Sequence, residues 1–433
     1  MLLKKELSVI EKSYYEASVV RPSPSPPLAD RISTDVCVVG GGYAGLSTAL
    51  ELRQRGYSVT LLEAQRIGWG ASGRNGGEVI VGFGADGEAA IEKQSSREDA
   101  QRAWDISIEA LDLLQARIAQ YNIDCEYAPG YMNLAVNARK MKMLNRWYEN
   151  VTQKYNYPLQ WIAPEEIGNW IASERFHAGI YDARSGHVHP LKYCLGLAQA
   201  ARDAGVDIYE NSAVYQVVRG PGPVVKTALG ELTCKFLVLA GNVYISEYGQ
   251  IAPELTDRIV PVGTYIIGTD PMDQARADAL IRHRAAVSDN NFILDYFRVS
   301  ADNRLLFGAG ESYTATTPPD LIARMRKRML AVFPQLNDLG IPYSWGGFVD
   351  LTKNKAPHFG RLGDNIYYLQ GFSGHGVAFT GIAGKLVAEA IAGDAEKFDV
   401  FSRLKHFKFP GGEWTRTPLL VLGMWYYRLR DLL

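Results

Sequence analysis

The fold of this chain is decided by the stretch TDVCVVGGGYAGLSTALELRQRG, residues 34–56. Its first residues are mostly apolar and β-branched, which predicts a buried parallel strand over 34–39. After the glycines, residues 46–55 have helical character and end at Gly56, a residue type favoured just past a helix end. A second apolar run at 58–62 completes one βαβ unit within about 30 residues.

The glycines of this stretch form a motif. Residues 40–45, GGGYAG, fit the pattern GxGxxG and lie between the predicted strand and the predicted helix. In that context the glycines allow a tight turn against a pyrophosphate, whose charge the helix N-terminus favours. Glu63, at the end of the second strand, is placed to accept hydrogen bonds from ribose hydroxyls. The motif predicts a dinucleotide site, and an ordinary glycine-rich turn is the alternative.

Two further segments are rich in glycine. Residues 68–77, GWGASGRNGG, can press their backbone against a flat cofactor, and Ser72, Arg74 and Asn75 supply hydrogen-bond donors there. Residues 370–377, QGFSGHGV, join a predicted strand to a predicted helix, whose N-terminus would favour negative charge on an electron-accepting ring. The alternatives are a mobile surface loop for the first segment and helix capping alone for the second.

Helical periodicity predicts the remaining helices near 88–120, 138–153, 191–204, 319–333 and 376–392. Pro164 resembles the first position of another helix. Residues 258–310 are predicted to be rich in strands.

The composition is that of a globular protein. With 433 residues, 47% apolar and 21% charged, the chain suggests two or three domains. Its net charge of −1 gives no basic field to hold nucleic acid. The four cysteines lie far apart, so neither a metal site nor a redox pair is expected. No apolar run is long enough to span a bilayer and no signal peptide is recognisable, which favours a reduced, cytoplasmic protein.

The chain resembles the D-amino-acid-oxidase-type FAD-dependent oxidoreductases, the superfamily of glycine and sarcosine oxidases. GASGRNGG combined with GFSGHGV makes the resemblance specific, whereas the GxGxxG motif alone is shared by many FAD and NAD proteins. The similarity runs over nearly the whole chain and includes SGHVHPLKY (185–193), PVGTYIIGT (261–269), YFRVSADNRLLFG (296–308) and WGGFVDLT (345–352).

This resemblance implies two domains, an α/β Rossmann-like FAD-binding domain and an α+β substrate domain with an antiparallel sheet. The FAD-binding domain would be discontinuous, from 30–95, 170–250 and 340–395, and the substrate domain would comprise 96–169 and 251–339. Residues 1–29 would form an N-terminal arm with a proline-rich strap, and 396–433 an apolar and basic C-terminal tail.

The resemblance also implies which residues contact the cofactor. FAD would contact Gly40, Gly42, Tyr43, Ala44, Gly45, Glu63, Ala64, Ser72, Arg74, Asn75, Gly76 and Gly77, with Val214 by the adenine, Gly241 near the pyrophosphate, and Gly371, Gly374, His375, Gly376 and Val377 around the isoalloxazine ring. No cysteine is placed convincingly for covalent attachment, so noncovalent FAD is expected.

The implied reaction is oxidation of an amine C–N bond. Hydride passes from carbon to flavin N5, the imine hydrolyses to an aldehyde, and O2 is reduced to H2O2. The implied substrate is a γ-glutamylated diamine or a related polyamine derivative. A secondary-amine or amino-acid oxidase, or a dehydrogenase that reduces a quinone or a partner protein, is the alternative. Residues 304–308, RLLFG, hold no lysine where sarcosine oxidases carry one that assists reaction with oxygen, although Lys353 or Arg298 could compensate.

Three residues are candidates for catalysis. Glu78 could hold or deprotonate a cationic amine, His375 could donate to the flavin or act as a base, and Arg298 could pair with a substrate carboxylate. A structural role is the alternative for each.

Other residues are candidates for binding. Tyr265, Tyr296 and Trp345 could line an aromatic slot for a polyamine, with ordinary packing as the alternative. The apolar stretch at 418–427 is too short to span a bilayer. It could lie in a membrane interface, or pack on the protein or a second subunit.

Overall fold

The computed structural model describes residues 13–312 and 317–410 as two large sheets with helices packed on them. The helices are Tyr14–Ala17 (α1), Tyr43–Gln54 (α2), Gly84–Gln94 (α3), Arg97–Gln120 (α4), Ala138–Lys154 (α5), Pro190–Asp203 (α6), Pro253–Thr256 (α7), Gln274–Leu280 (α8), Leu321–Val332 (α9), Gly376–Ile391 (α10) and Glu396–Ser402 (α11). The strands are Arg31–Val39 (β1), Val59–Leu62 (β2), Glu78–Val79 (β3), Ala128–Ala135 (β4), Gln160–Ile162 (β5), Ala178–His187 (β6), Asp207–Tyr209 (β7), Gln216–Val218 (β8), Val224–Lys226 (β9), Glu231–Leu239 (β10), Ile259–Gly268 (β11), Ala286–Asp289 (β12), Asp295–Val299 (β13), Leu305–Ser312 (β14), Tyr343–Thr352 (β15), His358–Leu362 (β16) and Ile366–Gln370 (β17).

The first sheet has a parallel centre in the order β17-β10-β1-β2-β7. Strand β16 pairs antiparallel with β17, and the hairpin of β8 and β9 pairs with β10. Both faces of the centre are buried. In β1, Val36 and Val38 belong to the core beneath helices α2, α4, α6 and α10, whereas Cys37 and Val39 belong to the opposite core. Burial on both faces explains why β1 has a continuous apolar run.

The second sheet has the order β15-β11-β14-β13-β12-β4-β6-β3, with β5 beside β6. All its pairs are antiparallel except β4 with β12, so the sheet is predominantly antiparallel, as predicted, with one parallel pair. One face is apolar: Ile267, Phe297 and Phe307 pack there against helix α9. Arg298 and Tyr296, which alternate with Phe297, point to the opposite face. We call this opposite face, where it carries Glu78, Tyr131, His187, Ser288, Tyr296 and Arg298, the polar face.

The sheets place several elements outside the domain ranges predicted for them. Strands β3, β6 and β15 lie in the ranges predicted for the FAD-binding domain, but they belong to the second sheet. Helix α4 lies in a range predicted for the substrate domain, but it packs in the first core through Leu111 and Leu114. Strand pairing decides these assignments, and it joins residues too far apart in sequence for a local pattern to show.

Two other predictions change. Pro164 does not begin an α-helix; a turn there leads only to a 3₁₀ turn at Ile167–Asn169. The first part of the predicted tail forms helix α11, whose Phe398 and Phe401 are buried in the first core. The apolar stretch at 418–427 lies outside the described residues.

In the part of the chain that the structure describes, no single helix has both the length and the apolar character to cross a bilayer. Within residues 13–312 and 317–410, only α10 and α11 taken together meet those criteria, and the pair is bent by 117°.

The N-terminal arm packs on the second sheet and on the loop at 68–77. Tyr15 is fully buried, with its ring 5.0 Å from Trp345 and 4.8 Å from His189. Further along, Arg21 donates a hydrogen bond to the carbonyl of Ile67 at 2.8 Å. The arm therefore lies across the start of the glycine-rich loop.

Candidate active site

The glycine motifs meet because they follow neighbouring parallel strands. The segment at 40–45 follows β1, Gly241 follows β10, Glu63 follows β2, and the segment at 371–377 follows β17. Carboxyl ends of adjacent parallel strands lie at one edge of a sheet, which is where α/β proteins bind ligands. Segments more than 300 residues apart thus form one continuous edge, which we call the carboxyl edge.

Two glycines at this edge tolerate no side chain. Gly40 has φ +116°, and a Cβ there would lie 2.5 Å from the carbonyl oxygen of Ala240. A Cβ on Gly45 would lie 2.0 Å from the carbonyl oxygen of Gly40. The absence of a side chain at Gly40 allows the tight turn after β1, and its absence at Gly45 lets helix α2 pack closely against that turn. Tyr43, Ala44 and Gly45 form the buried first turn of α2.

A cleft of about 780 Å³, its open mouth included, runs along the carboxyl edge. Seven predicted cofactor residues line it: Gly40, Gly42, Glu63, Ala64, Ser72, Val214 and Gly241.

Aromatic residues that the sequence analysis did not single out line the same cleft. The ring centres of Trp69 and Tyr244 lie 5.4 Å apart, and the Arg74 guanidinium lies 4.2 Å from the centre of the Trp69 ring. A tryptophan between two glycines, as in Gly68-Trp69-Gly70, was the available clue.

Glu63 holds the backbone at the middle of the cleft. Its Oε2 accepts a hydrogen bond from the Gly41 N–H at 2.7 Å, and its Oε1 accepts one from the Gln65 N–H at 2.8 Å. Burial raises the pKa of this carboxyl, although the backbone donors oppose the shift. Each carboxylate oxygen has a further lone pair, so Glu63 can still accept hydroxyl donors from a ligand.

The polar side chains of the loop at 68–77 stabilise the loop itself. Ser72 Oγ accepts the Tyr43 N–H at 3.0 Å, and Asn75 Oδ1 accepts the Gly77 N–H at 2.8 Å. Gly77 has φ +91°, and a Cβ there would lie 2.2 Å from the Val188 carbonyl oxygen. The loop is therefore fixed before a ligand arrives, and it presents mainly backbone.

The loop after β17 is held by a buried carboxylate that the sequence analysis missed. Asp350, on β15, accepts the Gly371 N–H, and burial raises its pKa to about 7. Gly371, Ser373 and Gly374 all have positive φ, so this loop is tightly turned. A lone acid in the otherwise apolar run WGGFVDLT was the clue. Asp350 thus joins the second sheet to the carboxyl edge.

His375 lies at the end of this loop, directly before helix α10. The ring is half-buried, its Nδ1 has no hydrogen-bond partner, and burial lowers its pKa to about 4. The imidazole is therefore neutral at pH 7. An ideal Cβ on Gly84 would lie 3.0 Å from its Cε1, so Gly84 leaves room for the ring.

Three of the predicted catalytic and substrate residues come together on the polar face. Arg298 is buried; its Nε donates to the Gly76 carbonyl at 2.7 Å and its Nη2 to the Tyr15 hydroxyl at 3.3 Å. A Cβ placed on Gly76 would lie 2.3 Å from Glu78 Oε2 and 2.8 Å from the Tyr296 ring. Glu78 and Tyr296 therefore meet beside the end of the loop that Arg298 holds.

Burial raises the pKa of Glu78, and the charge of Arg298 opposes that shift. Glu78 Oε1 is buried and has no hydrogen-bond partner.

One predicted substrate residue lies elsewhere. Tyr265 pairs with Gly346 and Ala309 and points into the apolar core of the second sheet, away from the polar face. Trp345 lies on the same side of the sheet as Tyr296, in a cluster against which Tyr296 packs. It is fully buried, and its Nε1 donates to the Arg74 carbonyl at 3.0 Å. Lys353, one of the two cations considered for the reaction with oxygen, is exposed.

Two sheets of this kind, with a dinucleotide edge facing a polar sheet face, define a two-domain flavoprotein oxidoreductase. The family model for FAD dependent oxidoreductases matches residues 35–390. The chain belongs to this family, and it is an FAD-dependent oxidoreductase.

Relatives and solved structures agree with this assignment. The chain is 42% identical to gamma-glutamylputrescine oxidoreductase of Escherichia coli over 97% of this chain and 98% of that protein. It is also 42% identical to the probable oxidoreductase OrdL of Haemophilus influenzae, over 97% of each chain. Glycine oxidase from Geobacillus kaustophilus superposes with a TM-score of 0.71 at 22% identity, covering 84% of this chain and 95% of that one. This superposition confirms the predicted fold class.

The geometry of the carboxyl edge also fits FAD, independently of the comparisons. The carboxyl edge combines a glycine turn that a Cβ would fill, a helix N-terminus and a carboxylate with free lone pairs, as a dinucleotide requires.

Proposed function

We propose that this enzyme oxidises the C–N bond of an amine, and that its substrate is gamma-glutamylputrescine or a related polyamine derivative. The observation that carries the reaction class is Glu78, a half-buried glutamate beside the cofactor loop whose Oε1 is buried and has no hydrogen-bond partner. An anion of this kind suits a cationic substrate. The name of the E. coli relative supports the glutamylated diamine.

FAD is proposed to lie noncovalently along the carboxyl edge. Its adenosine half would lie by Glu63, Ala64 and Val214, and its pyrophosphate by the glycines after β1 and by Gly241. Its ring would lie between the segments at 72–77 and 371–377. When bound, FAD supplies a hydride acceptor at N5, and O2 is the proposed final acceptor.

Glu78 has the role of binding and deprotonating the amine. An ammonium has no lone pair to support C–H cleavage, so its proton must leave first. The raised pKa of Glu78 makes its carboxylate a better base than an exposed glutamate. The amine proton passes to a Glu78 oxygen, and the substrate carbon then loses hydride and becomes an imine carbon, which water hydrolyses to the aldehyde.

Arg298 has the role of a positioning residue. Its Nε and one Nη are hydrogen-bonded to Gly76 and Tyr15, so we propose that it fixes the cofactor loop instead of binding a substrate carboxylate. His375, neutral and with a bare Nδ1, is proposed to contact the flavin or the amine.

The test is reduction of the yellow enzyme without oxygen by gamma-glutamylputrescine, putrescine, spermidine, glycine, sarcosine and D-alanine. Fastest bleaching of the flavin band by the glutamylated diamine is expected. Readmission of air should then restore the colour and yield H2O2. Faster bleaching by sarcosine or an amino acid would overturn the proposed substrate. Colour that returns only with a quinone would overturn oxygen as acceptor.

A further inference from the structure

Two directly paired residues of the polar face each carry a buried hydrogen-bond acceptor without a donor. The acceptors are Glu78 Oε1 and His187 Nδ1, and neither has a hydrogen-bond partner. Glu78 on β3 is paired directly with His187 on antiparallel β6. Side chains at such paired positions share a face, with Cβ atoms about 4.5–5.5 Å apart. Buried polar atoms are rarely left unpaired, so one missing group accounts for both.

The missing group must be a donor, because the protonation of His187 is fixed by its other nitrogen. His187 Nε2 lies 3.0 Å from the carbonyl oxygen of Arg284, which can only accept, so Nε2 carries the hydrogen. His187 is 4% exposed, and burial, with the charge of Arg298 as a second cause, lowers its pKa to about 3. The ring is therefore neutral at pH 7, and Nδ1 presents a lone pair.

The surroundings favour a cation over a neutral donor. Burial raises the pKa of Tyr131 and Tyr296, and the charge of Glu78 adds to both shifts, so both hydroxyls lie within reach of that charge. The Tyr131 hydroxyl hydrogen-bonds Ser288, which is paired with Tyr296 across β12 and β13. Aromatic rings around a carboxylate stabilise an ammonium group. The charge of Arg298 lowers the pKa of Glu78 and so favours its ionised form, and this contribution is the same in each His187 variant compared below.

We propose that Glu78 and His187 form a two-point site for the reacting nitrogen, in which two N–H bonds of the substrate ammonium donate to Glu78 Oε1 and His187 Nδ1. This inference rests on the proposed amine oxidation and identifies the residues that select the amine. When one proton passes to Glu78, the second N–H still donates to His187, which orients the freed lone pair. Primary and mono-N-alkyl amines have the two N–H bonds, whereas a protonated N,N-dialkyl amine has one.

The chain offers a matched pair of variants at this position. In His187→Gln, the side-chain Nε2 can still donate to the Arg284 carbonyl, but the acceptor at Nδ1 is lost. In His187→Asn, the side-chain oxygen replaces Nδ1 as acceptor, but the bond to Arg284 is lost. A purely structural role for His187 would make Asn the more damaging change. The two-point site makes Gln the more damaging one.

The binding probe is tert-butylamine, which has no hydrogen on the carbon next to nitrogen and cannot be oxidised. Its anaerobic titration is followed by the flavin absorbance spectrum. We expect His187→Gln to weaken its binding by roughly 10-fold or more, since the lost hydrogen bond is to a charged donor, and His187→Asn to weaken it far less. Equal binding by the wild type and His187→Gln would mean that water alone satisfies these acceptors and would overturn the proposal.

Selectivity is measured with the best substrate of the anaerobic panel and its N-methyl and N,N-dimethyl derivatives. In the wild type we expect flavin reduction to be much slower with the N,N-dimethyl derivative than with the N-methyl derivative. In His187→Gln we expect the difference between these two rates to be smaller. The same difference in both enzymes would overturn the two-point site while amine oxidation stands. If no amine reduces the flavin, the proposed function itself fails.

Discussion

The carboxyl edge of the first sheet and the polar face of the second present different chemistry to the same site. The edge offers backbone: glycines whose Cβ would overlap a neighbouring carbonyl, and N–H groups at a helix start. The polar face offers side chains, each from a different strand: Glu78, Tyr131, His187, Ser288 and Tyr296. A backbone surface recognises one rigid shape, so it suits a constant cofactor. A side-chain surface changes by single substitutions, so it suits a substrate that differs between relatives.

The largest expected effect breaks the backbone surface. Gly40→Ala forces a side chain onto a φ of +116° and 2.5 Å from the Ala240 oxygen. We expect the purified protein to lack its yellow chromophore or to be insoluble, measured as the ratio of flavin to protein absorbance. Gly168→Ala is the control, because a Cβ there meets nothing within 4 Å. Full flavin content in Gly40→Ala would contradict the rigid-edge description.

The next largest effect is expected from removing the hydrogen bonds that link the polar face to the cofactor loop. Arg298→Met removes the hydrogen bonds from the polar face to Gly76 and Tyr15, and we expect a loss of about 3 kcal/mol in the free energy of unfolding. Denaturant titration measures it. Arg276→Met removes an ion pair with Asp338 at the surface and should cost less than about 1 kcal/mol. Equal losses of unfolding free energy in the two variants would show that the buried hydrogen bonds of Arg298 stabilise the fold no more than a surface ion pair does.

Asp350, the other link between the surfaces, gives a pH-dependent effect. Folding raises its pKa from 3.8 to about 7, so between these values the folded enzyme holds a proton that the unfolded chain has released. The free energy of unfolding therefore falls as pH rises through this window. Asp350→Asn lacks this titration, so its stability relative to the wild type should increase by roughly 2 kcal/mol from pH 5 to pH 7. Parallel pH profiles would refute this.

The smallest effect concerns the arm. Tyr15→Phe removes a hydroxyl that makes long hydrogen bonds, at 3.3 and 3.4 Å, to Arg298 and Gly76. We expect a loss of about 1 kcal/mol with the flavin retained, measured by thermal unfolding and absorbance. Tyr215→Phe, at an exposed position, should change nothing. A loss as large as that of Arg298→Met would make Tyr15 the main support of the loop.

The carboxyl edge could be predicted from the sequence because its parts are local. A strand, a glycine turn and a helix start occur within one short segment, and each leaves a residue-type pattern. What brings these segments together is the order of the parallel strands, which the local patterns do not show. Asp350 was not predicted, because one acidic residue in an apolar strand does not indicate which backbone N–H group it will accept a hydrogen bond from.

The polar face could not be predicted in the same way, because strand register decides it. Tyr265 and Tyr296 look equivalent in sequence, yet they lie on opposite faces of the second sheet. A shift of one residue exchanges the two faces of a strand, and no local pattern fixes that shift. His187 appeared in the sequence only within SGHVHPLKY, one of the segments that carry the family resemblance, and its pairing with Glu78 becomes apparent only when β3 is placed beside β6.

The arm carries a consequence for the order of folding. Tyr15 leaves the ribosome 283 residues before its partner Arg298, and its other partner Trp345 follows later still. Contacts between such distant residues form late, since closing so long a loop costs entropy before any contact compensates for it. The earliest described residues of the chain are thus among the last to reach their native places, and the cofactor loop stays open on that side until they do.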